Sequence, residues 1–174
     1  MYKYLLAFFA ILPLASCNDN VKANPKDVVV FYNTIQESFN KYADPQHLLM
    51  EKASDAVNKI QADNNAIIDT KELRAILAEA KKASAARMAI VVAVKEVDAT
   101  IDYKNKVINS INILNKAYDK EFKEYIDLLD VKTENKLDKL TQIMQPALYE
   151  IETAAKDCEV AGNNLATKYD FKKQ

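Results

Sequence analysis

Four long stretches of the chain repeat apolar residues every three or four positions, the spacing of one face of an α-helix. The first begins at Asn24-Pro25, where Asn is a favourable N-cap and Pro a favourable first helical residue. Its apolar face comprises Val28, Phe31, Tyr32, Ile35, Phe39 and Tyr42, and then Leu49, Ala53, Val57 (or Ala56) and Ile60. Asp44-Pro45 lies between the two halves. It predicts an interruption of the helix, because proline opposes helical backbone in the residue before it. We expect a kink in one long helix; the alternative is a stop, with Asp44 capping a new helix.

The second stretch is predicted to begin at Asp69, which forms a capping-box pattern with Glu72. Its predicted inward face comprises Leu73, Ile76, Ala80, Ala83, Ile90, Val94 and Val97. Arg87 interrupts this face close to the core. We expect its side chain to reach the rim or to pair with an acid of the next helix, and a buried site for a carboxylate or phosphate is the alternative.

The third and fourth stretches have the most regular patterns. Asp102 is predicted to cap the third, whose face comprises Val107, Ile111, Leu114, Tyr118, Phe122, Tyr125 and Leu129. The fourth is predicted to begin near Thr133 and comprises Leu137, Leu140, Met144, Leu148, Ile151, Ala155, Cys158, Gly162, Leu165 and Tyr169. Pro146 lies inside it and predicts a kink.

Composition agrees with an all-α fold, because the chain has a single glycine and sheets with tight turns use glycine repeatedly. Four amphipathic segments joined by short loops predict an elongated up-down antiparallel four-helix bundle with coiled-coil-like packing. An extended three-helix coiled coil with a separate N-terminal hairpin is the alternative.

The N-terminus has the layout of a secretory signal peptide. Lys3 supplies a positive charge, an apolar run follows from Tyr4 to Leu14, and small residues lead to Cys17. The run is shorter than the roughly 20 residues that a membrane-spanning helix needs.

The sequence Leu14-Ala15-Ser16-Cys17 resembles the lipobox of bacterial lipoproteins at all four positions. That resemblance implies that a signal peptidase recognises Leu14, Ala15 and Ser16 and cleaves before Cys17. It also implies diacylglycerol on the Cys17 sulfur and usually an acyl chain on the new amino terminus. The predicted domains are a signal peptide at 1–16, a lipidated tether at 17–24 and a helical bundle at 25–170.

Taken together, the chain resembles small helical surface lipoproteins of Bacteroidota and spirochaetes. Besides the lipobox, the matching parts are the Phe31-Tyr32-Asn33 start and the segment from Leu165 to Phe171. The resemblance implies a bacterial envelope location but no known activity. We expect attachment to the outer membrane, and a single acid after the cysteine, Asp19, leaves the periplasmic or surface face open.

Charge and cysteine content exclude some classes of protein. The formal net charge of −1 becomes −2 when Lys3 leaves with the signal peptide, so no basic excess favours nucleic acid. Cys158 is the remaining cysteine after lipidation of Cys17, which excludes a disulfide framework. A free cysteine on an apolar helix face is expected to be a small buried hydrophobe.

The remaining candidate residues predict no catalytic or metal site. His47 is the only histidine, which excludes zinc sites with two histidines, and we expect it to face solvent or cap a helix. Acids from Asp119 to Asp130 lack the glycine-containing loop of a calcium site, and we expect them to pair with neighbouring lysines on a solvated surface. We therefore expect no cofactor and no enzymatic activity.

Two function classes stay open. The preferred one is a non-enzymatic, membrane-tethered interaction or structural module with a protein partner in the envelope or outside the cell. The alternative is a small-molecule or lipid-binding bundle, which predicts a cavity beneath Tyr118, Phe122 or Met144.

Overall fold

The computed structural model describes residues 24–64 and 66–171, and within these ranges the protein is all-α, as predicted, with no strand. The α-helices are α1 Pro25–Lys41, α2 Asp44–Ala62, α3 Lys71–Ala93, α4 Ile101–Asp119, α5 Glu121–Leu129 and α6 Lys136–Tyr169. A 3₁₀ turn, Asp98–Thr100, precedes α4.

The start of α1 is confirmed. Asn24 is the N-cap, and its side chain accepts a hydrogen bond of 3.0 Å from the backbone N–H of Lys26. Pro25 occupies the first turn, where its missing N–H leaves no helical bond unmade. The predicted face up to Phe39 is buried.

The predicted long first helix is divided into two. The backbone leaves the helical region at Tyr42, with φ −117° and ψ 19°, and α2 begins at Asp44. Asp44 is therefore the first residue of α2 and not its cap, which is Ala43. Pro45 explains the break, because it has no N–H to donate to the carbonyl of the preceding turn.

The third predicted helix is also divided, at Lys120, whose φ of −120° and ψ of −75° separate α4 from α5. All seven residues of its predicted face are nevertheless buried. Asp102 lies inside the first turn of α4 and is not its cap. The N-cap of α4 is Thr100, whose side-chain hydroxyl accepts a bond of 3.0 Å from the N–H of Val97 in the turn before the helix.

Helix α3 follows the prediction only in its first half. It begins at Lys71, although the Asp69 side chain still accepts a bond of 3.0 Å from the Lys71 N–H. The buried face is Leu73, Ile76, Leu77, Ala80, Ser84, Arg87 and Val91. The prediction that Ala83 and Ile90 lie on the buried face was wrong, because the true face rotates towards a serine and an arginine. Val94 and Val97, which follow the helix, are partly buried against the core, as predicted.

Helix α6 begins at Lys136, later than predicted, and continues through Pro146. Gly162 permits close packing, since a Cβ at this position would lie 3.1 Å from a ring carbon of Tyr103. That ring is held in place by stacking on Tyr32 and by a bond of 2.9 Å from Gln36 to its hydroxyl.

Buried apolar residues form two clusters. The α5 cluster includes Leu49, Ile60, Leu73, Leu77, Leu114, Tyr118, Phe122, Tyr125, Leu129, Leu140 and Met144. The α1 cluster includes Val28, Phe31, Ile35, Phe39, Val91, Tyr103, Val107, Ile111, Cys158, Leu165 and Tyr169. Helices α3, α4 and α6 each contribute to both clusters, whereas α1 and α2 contribute to one each.

None of the helices within the described ranges is both long enough and apolar enough to cross a membrane.

Candidate functional site

The predicted lipidation site, Cys17, and its recognition residues Leu14, Ala15 and Ser16 lie outside the described residues. The lipobox therefore remains a prediction from the sequence. What the structure describes is the helical part that follows it.

His47 is exposed in the first turn of α2, as one of the two sequence interpretations expected. Its backbone N–H donates to the carbonyl of Ala43 at 3.1 Å and closes that turn. Within residues 24–64 and 66–171, no group of three or more His, Cys, Asp or Glu side chains could hold a metal ion.

The acids of α4 and α5 pair mainly with α3, and the expected pairing with lysines along their own helix was largely wrong. Arg74 donates to Asp127 at 2.6 Å and to Asp130 at 3.3 Å, and Lys81 contacts Asp119 at 2.7 Å. The side chains of the Arg74 pairs are roughly half-exposed and Asp119 is more exposed, so these pairs join neighbouring helices at the surface.

Two lysines that the sequence did not single out are buried at helix ends. Lys136 is 0% exposed, and its ammonium donates to the carbonyl oxygens of Ala66 and, at 3.4 Å, Leu129. Lys104 donates to the carbonyls of Val92 at 3.1 Å and Val94 at 3.0 Å. Carbonyls that a helix end leaves free are natural acceptors for lysine. The signal for them is positional, since each lysine lies in the first turn of its helix and donates to a carbonyl at the end of another helix.

Arg87 occupies a different environment, and the expectation that it reaches the rim or pairs with an acid was wrong. Its side chain is 6% exposed, and its guanidinium carbon lies 4.6 Å from the centre of the Phe39 ring. Burial lowers the pKa of Arg87, and the groups that oppose this effect are Tyr118 and Cys158 rather than any carboxylate. Phe39 and Cys158 belong to the α1 cluster and Tyr118 to the α5 cluster, so Arg87 lies where the clusters meet.

The Nε–H of Arg87 and the hydroxyl of Ser84 are both buried and have no hydrogen-bond partner among the residues that the structure describes. Ser84 lies three residues before Arg87, on the same face of α3. Buried polar atoms are nearly always hydrogen-bonded, so two orphans on one helix turn are unusual. This pair is the candidate site of the molecule.

Cys158, on α6, is buried, as expected. Burial raises its pKa to about 12, although the charge of Arg87 acts in the opposite direction. Burial raises the pKa of Tyr118 as well, again opposed by Arg87. Both side chains are therefore neutral at neutral pH and supply no negative charge to the guanidinium.

The residues predicted to cover a cavity pack against one another. Tyr118 and Phe122 make an edge contact with ring centres 5.3 Å apart, and both lie with Met144 in the α5 cluster. The polar feature of the interior lies one turn of α3 away from this cluster, at Ser84 and Arg87.

Comparison with known proteins adds no family assignment: no protein-family model, curated protein or solved structure matches the chain.

Proposed function

We propose that the protein is a lipid-anchored protein of the bacterial envelope whose helical part is a non-enzymatic interaction or structural module. The observation that carries this proposal is the sequence Leu14-Ala15-Ser16-Cys17 directly after a short apolar segment. The outer membrane is the proposed location. Anchoring through two or three acyl chains is durable, because each buried CH₂ contributes about 0.8 kcal/mol.

We further propose that the helical part is an elongated up-down-up-down four-helix bundle, with α1–α2 and α4–α5 each forming one interrupted arm. The order in which the chain visits the two clusters supports this arrangement. It runs from the α1 cluster to the α5 cluster through α1 and α2, returns in α3, crosses again in α4 and α5, and returns in α6. A bundle of this kind carries an envelope partner on its outer faces and needs no catalytic centre.

The anchor is tested by comparing the wild type with Cys17→Ala in the native bacterium. We expect the wild type to have the mass of a chain cleaved before Cys17 plus its lipids and to partition into detergent, and the variant to lose both properties. Cys158→Ala is the matched control, because it removes the other cysteine and should leave lipidation intact. An unchanged mass and partitioning in Cys17→Ala would refute the proposal.

Protease added to whole cells then distinguishes the two faces of the membrane. Removal of the helical part from intact cells places it on the surface and directs the search for partners outside the cell. Protection until the outer membrane is opened places it in the periplasm.

A second candidate function is a ligand-binding bundle, and the buried, unpartnered pair Ser84 and Arg87 favours it. The ligand class that this pair selects is derived next.

A further inference from the structure

The interior of the bundle holds one positive charge that the described residues do not neutralise. Arg87 is 6% exposed, and the groups that act on its charge are a tyrosine and a cysteine. An arginine stays charged at all physiological pH values, so it cannot relieve the cost of burial by losing its proton. A buried charge without a counter-charge is strongly unfavourable. The ring of Phe39 offsets only part of that cost.

The hydroxyl of the neighbouring Ser84 also lacks a hydrogen bond to a described residue. Hydroxyl groups inside helices commonly donate to a carbonyl of the preceding turn. Thr34, Ser38 and Thr141 all do so here, at 2.8, 2.7 and 2.9 Å. The Ser84 hydroxyl is buried, yet it makes no such bond to a described residue. A donor and a charged donor thus lie three residues apart on one face of α3 with their capacity unused.

We propose that Ser84 and Arg87 form a binding site for a small organic monocarboxylate. One carboxylate oxygen accepts from the guanidinium and the other accepts from the guanidinium or the Ser84 hydroxyl. Arg87 keeps 6% of its residue surface exposed, and the ligand enters from that side.

The chemistry of the site selects a carboxylate over a phosphate. The guanidinium is a planar fork that matches the two oxygens of a carboxylate. The site provides one positive charge, which neutralises a monoanion but leaves a phosphate dianion with an excess buried charge. The Phe39 ring lies 4.6 Å from the guanidinium carbon, and the neutral groups Tyr118 and Cys158 are close enough to act on its charge, so the neighbourhood is largely apolar and suits a short hydrocarbon tail.

This inference does not depend on the lipid anchor, because every group that carries it lies in the described helices. The anchor is tested by mass and partitioning, whereas this site is tested by binding in a chain that is not lipidated. Either proposal can therefore fail alone.

The decisive experiment observes the side-chain Nε–H signals by NMR in the full chain carrying Cys17→Ala. The chain has two arginines, so two such signals are expected, and Arg74 serves as an internal control. Butyrate is the probe, its uncharged isostere butyramide is the control, and inorganic phosphate tests the other anion class. We expect butyrate to shift the Arg87 signal saturably and to leave the Arg74 signal in place.

Several results would overturn the proposal. They are the absence of a saturable shift at Arg87, equal shifts at both arginines, an equal response to butyramide, or a response to phosphate in preference to butyrate. An Arg87 Nε–H that contacts an internal water with and without butyrate would also overturn it, because water then completes the site.

A pair of serine variants tests the second donor. Ser84→Ala should raise the half-saturating butyrate concentration roughly fivefold, the worth of one hydrogen bond. Ser38→Ala makes the same change at a buried serine whose hydroxyl already bonds to Ile35, and it should leave the half-saturating concentration unchanged. Equal values for Ser84→Ala and the wild type would remove Ser84 from the site.

Discussion

Helix α3 carries both arginines of the chain, and their environments differ in exposure and in counter-charge. Arg74, in the first part of the helix, is roughly half-exposed and contacts two carboxylates of α5 and the turn after it. Arg87 lies in the second half, is 6% exposed and contacts an aromatic ring. The better-solvated arginine has the counter-charges, and the desolvated one lacks them.

The buried lysines show that this protein can accommodate an interior cation when the backbone offers acceptors. Lys136 and Lys104 are each buried, and each donates to two carbonyl oxygens; Lys104 also contacts the carboxylate of Glu96 at 3.1 Å. The acceptors lie at helix ends, where carbonyls are free, or, for Ala66, in the loop after α2. Arg87 lies in the second half of α3, and no carbonyl of the described residues accepts from its Nε–H, so a ligand is the kind of partner that could serve it.

The largest expected effect is at Lys136, the buried cation that has hydrogen-bond acceptors, in contrast to Arg87. Lys136→Met removes the ammonium donor from the carbonyls of Ala66 and Leu129 at a position with no exposure. The Leu129 carbonyl keeps the backbone N–H of Ile68 as a donor at 3.1 Å, so the main loss falls on the Ala66 carbonyl. Leaving a buried acceptor unpaired costs about 1–3 kcal/mol, partly offset by removal of the buried charge. We expect a loss of about 2 kcal/mol in the free energy of unfolding, measured with urea. A variant as stable as the wild type would show that the Ala66 carbonyl needs no donor.

The next effect has the opposite sign. Arg87→Met removes a buried charge and leaves no partner charge behind, while it keeps much of the side-chain volume. We expect a gain of about 1 kcal/mol, because replacing buried ionic groups with apolar ones is often stabilising. The loss of the contact with Phe39 reduces this gain but does not reverse it. Urea unfolding of this variant beside Lys136→Met provides the comparison. A loss of stability would mean that the charge is neutralised in the native protein.

A smaller effect is expected at the other arginine of the helix. Arg74→Met removes exposed contacts with Asp127 and Asp130, and pairs of this kind contribute little to stability. We expect a slight loss at low salt that disappears at about 1 M salt, where screening acts within about 3 Å. A loss that persists at high salt would indicate that the Arg74 side chain stabilises by packing.

The smallest effect concerns pH. Burial lowers the pKa of Lys136 from the ordinary value of 10.5, and the charge of Asp63 only opposes this shift. Between the folded pKa and 10.5, the unfolded chain binds more protons than the folded one, so the contribution of Lys136 to stability rises with pH. The stability difference between wild type and Lys136→Met should therefore grow as pH increases towards 10.5. A difference that shrinks would mean that the folded protein favours the charged form.

The sequence predicted the elements well where apolar and polar positions contrast strongly. In α4 and α5 the face from Val107 to Leu129 was predicted in full, because large apolar residues alternate with lysines and acids. The break at Lys120 was not predicted, since no proline or glycine marks it. In α1 the cap at Asn24 followed from local chemistry alone.

The candidate site could not be predicted in the same way. The second half of α3 is rich in alanine, so its pattern does not distinguish the face with Ile90 from the face with Ser84 and Arg87. The choice depends on which residues of α1, α4 and α6 occupy that level of the bundle, and this is information about distant parts of the chain. Lys136 was missed for the same reason, because its acceptors belong to Ala66 and Leu129.

The two interruptions of the helices lie close to Arg87. Phe39, whose ring lies against the guanidinium, and Tyr118, which acts on its charge, come just before the breaks at Tyr42 and Lys120. Helices α3 and α6 therefore run from one cluster to the other without a break, whereas the chain is interrupted between α1 and α2 and between α4 and α5. The α1 and α5 clusters are thus joined at a level that has fewer backbone hydrogen bonds and contains the buried charge of Arg87. Amide hydrogen exchange should divide there into two foldons, which open separately before the whole chain unfolds.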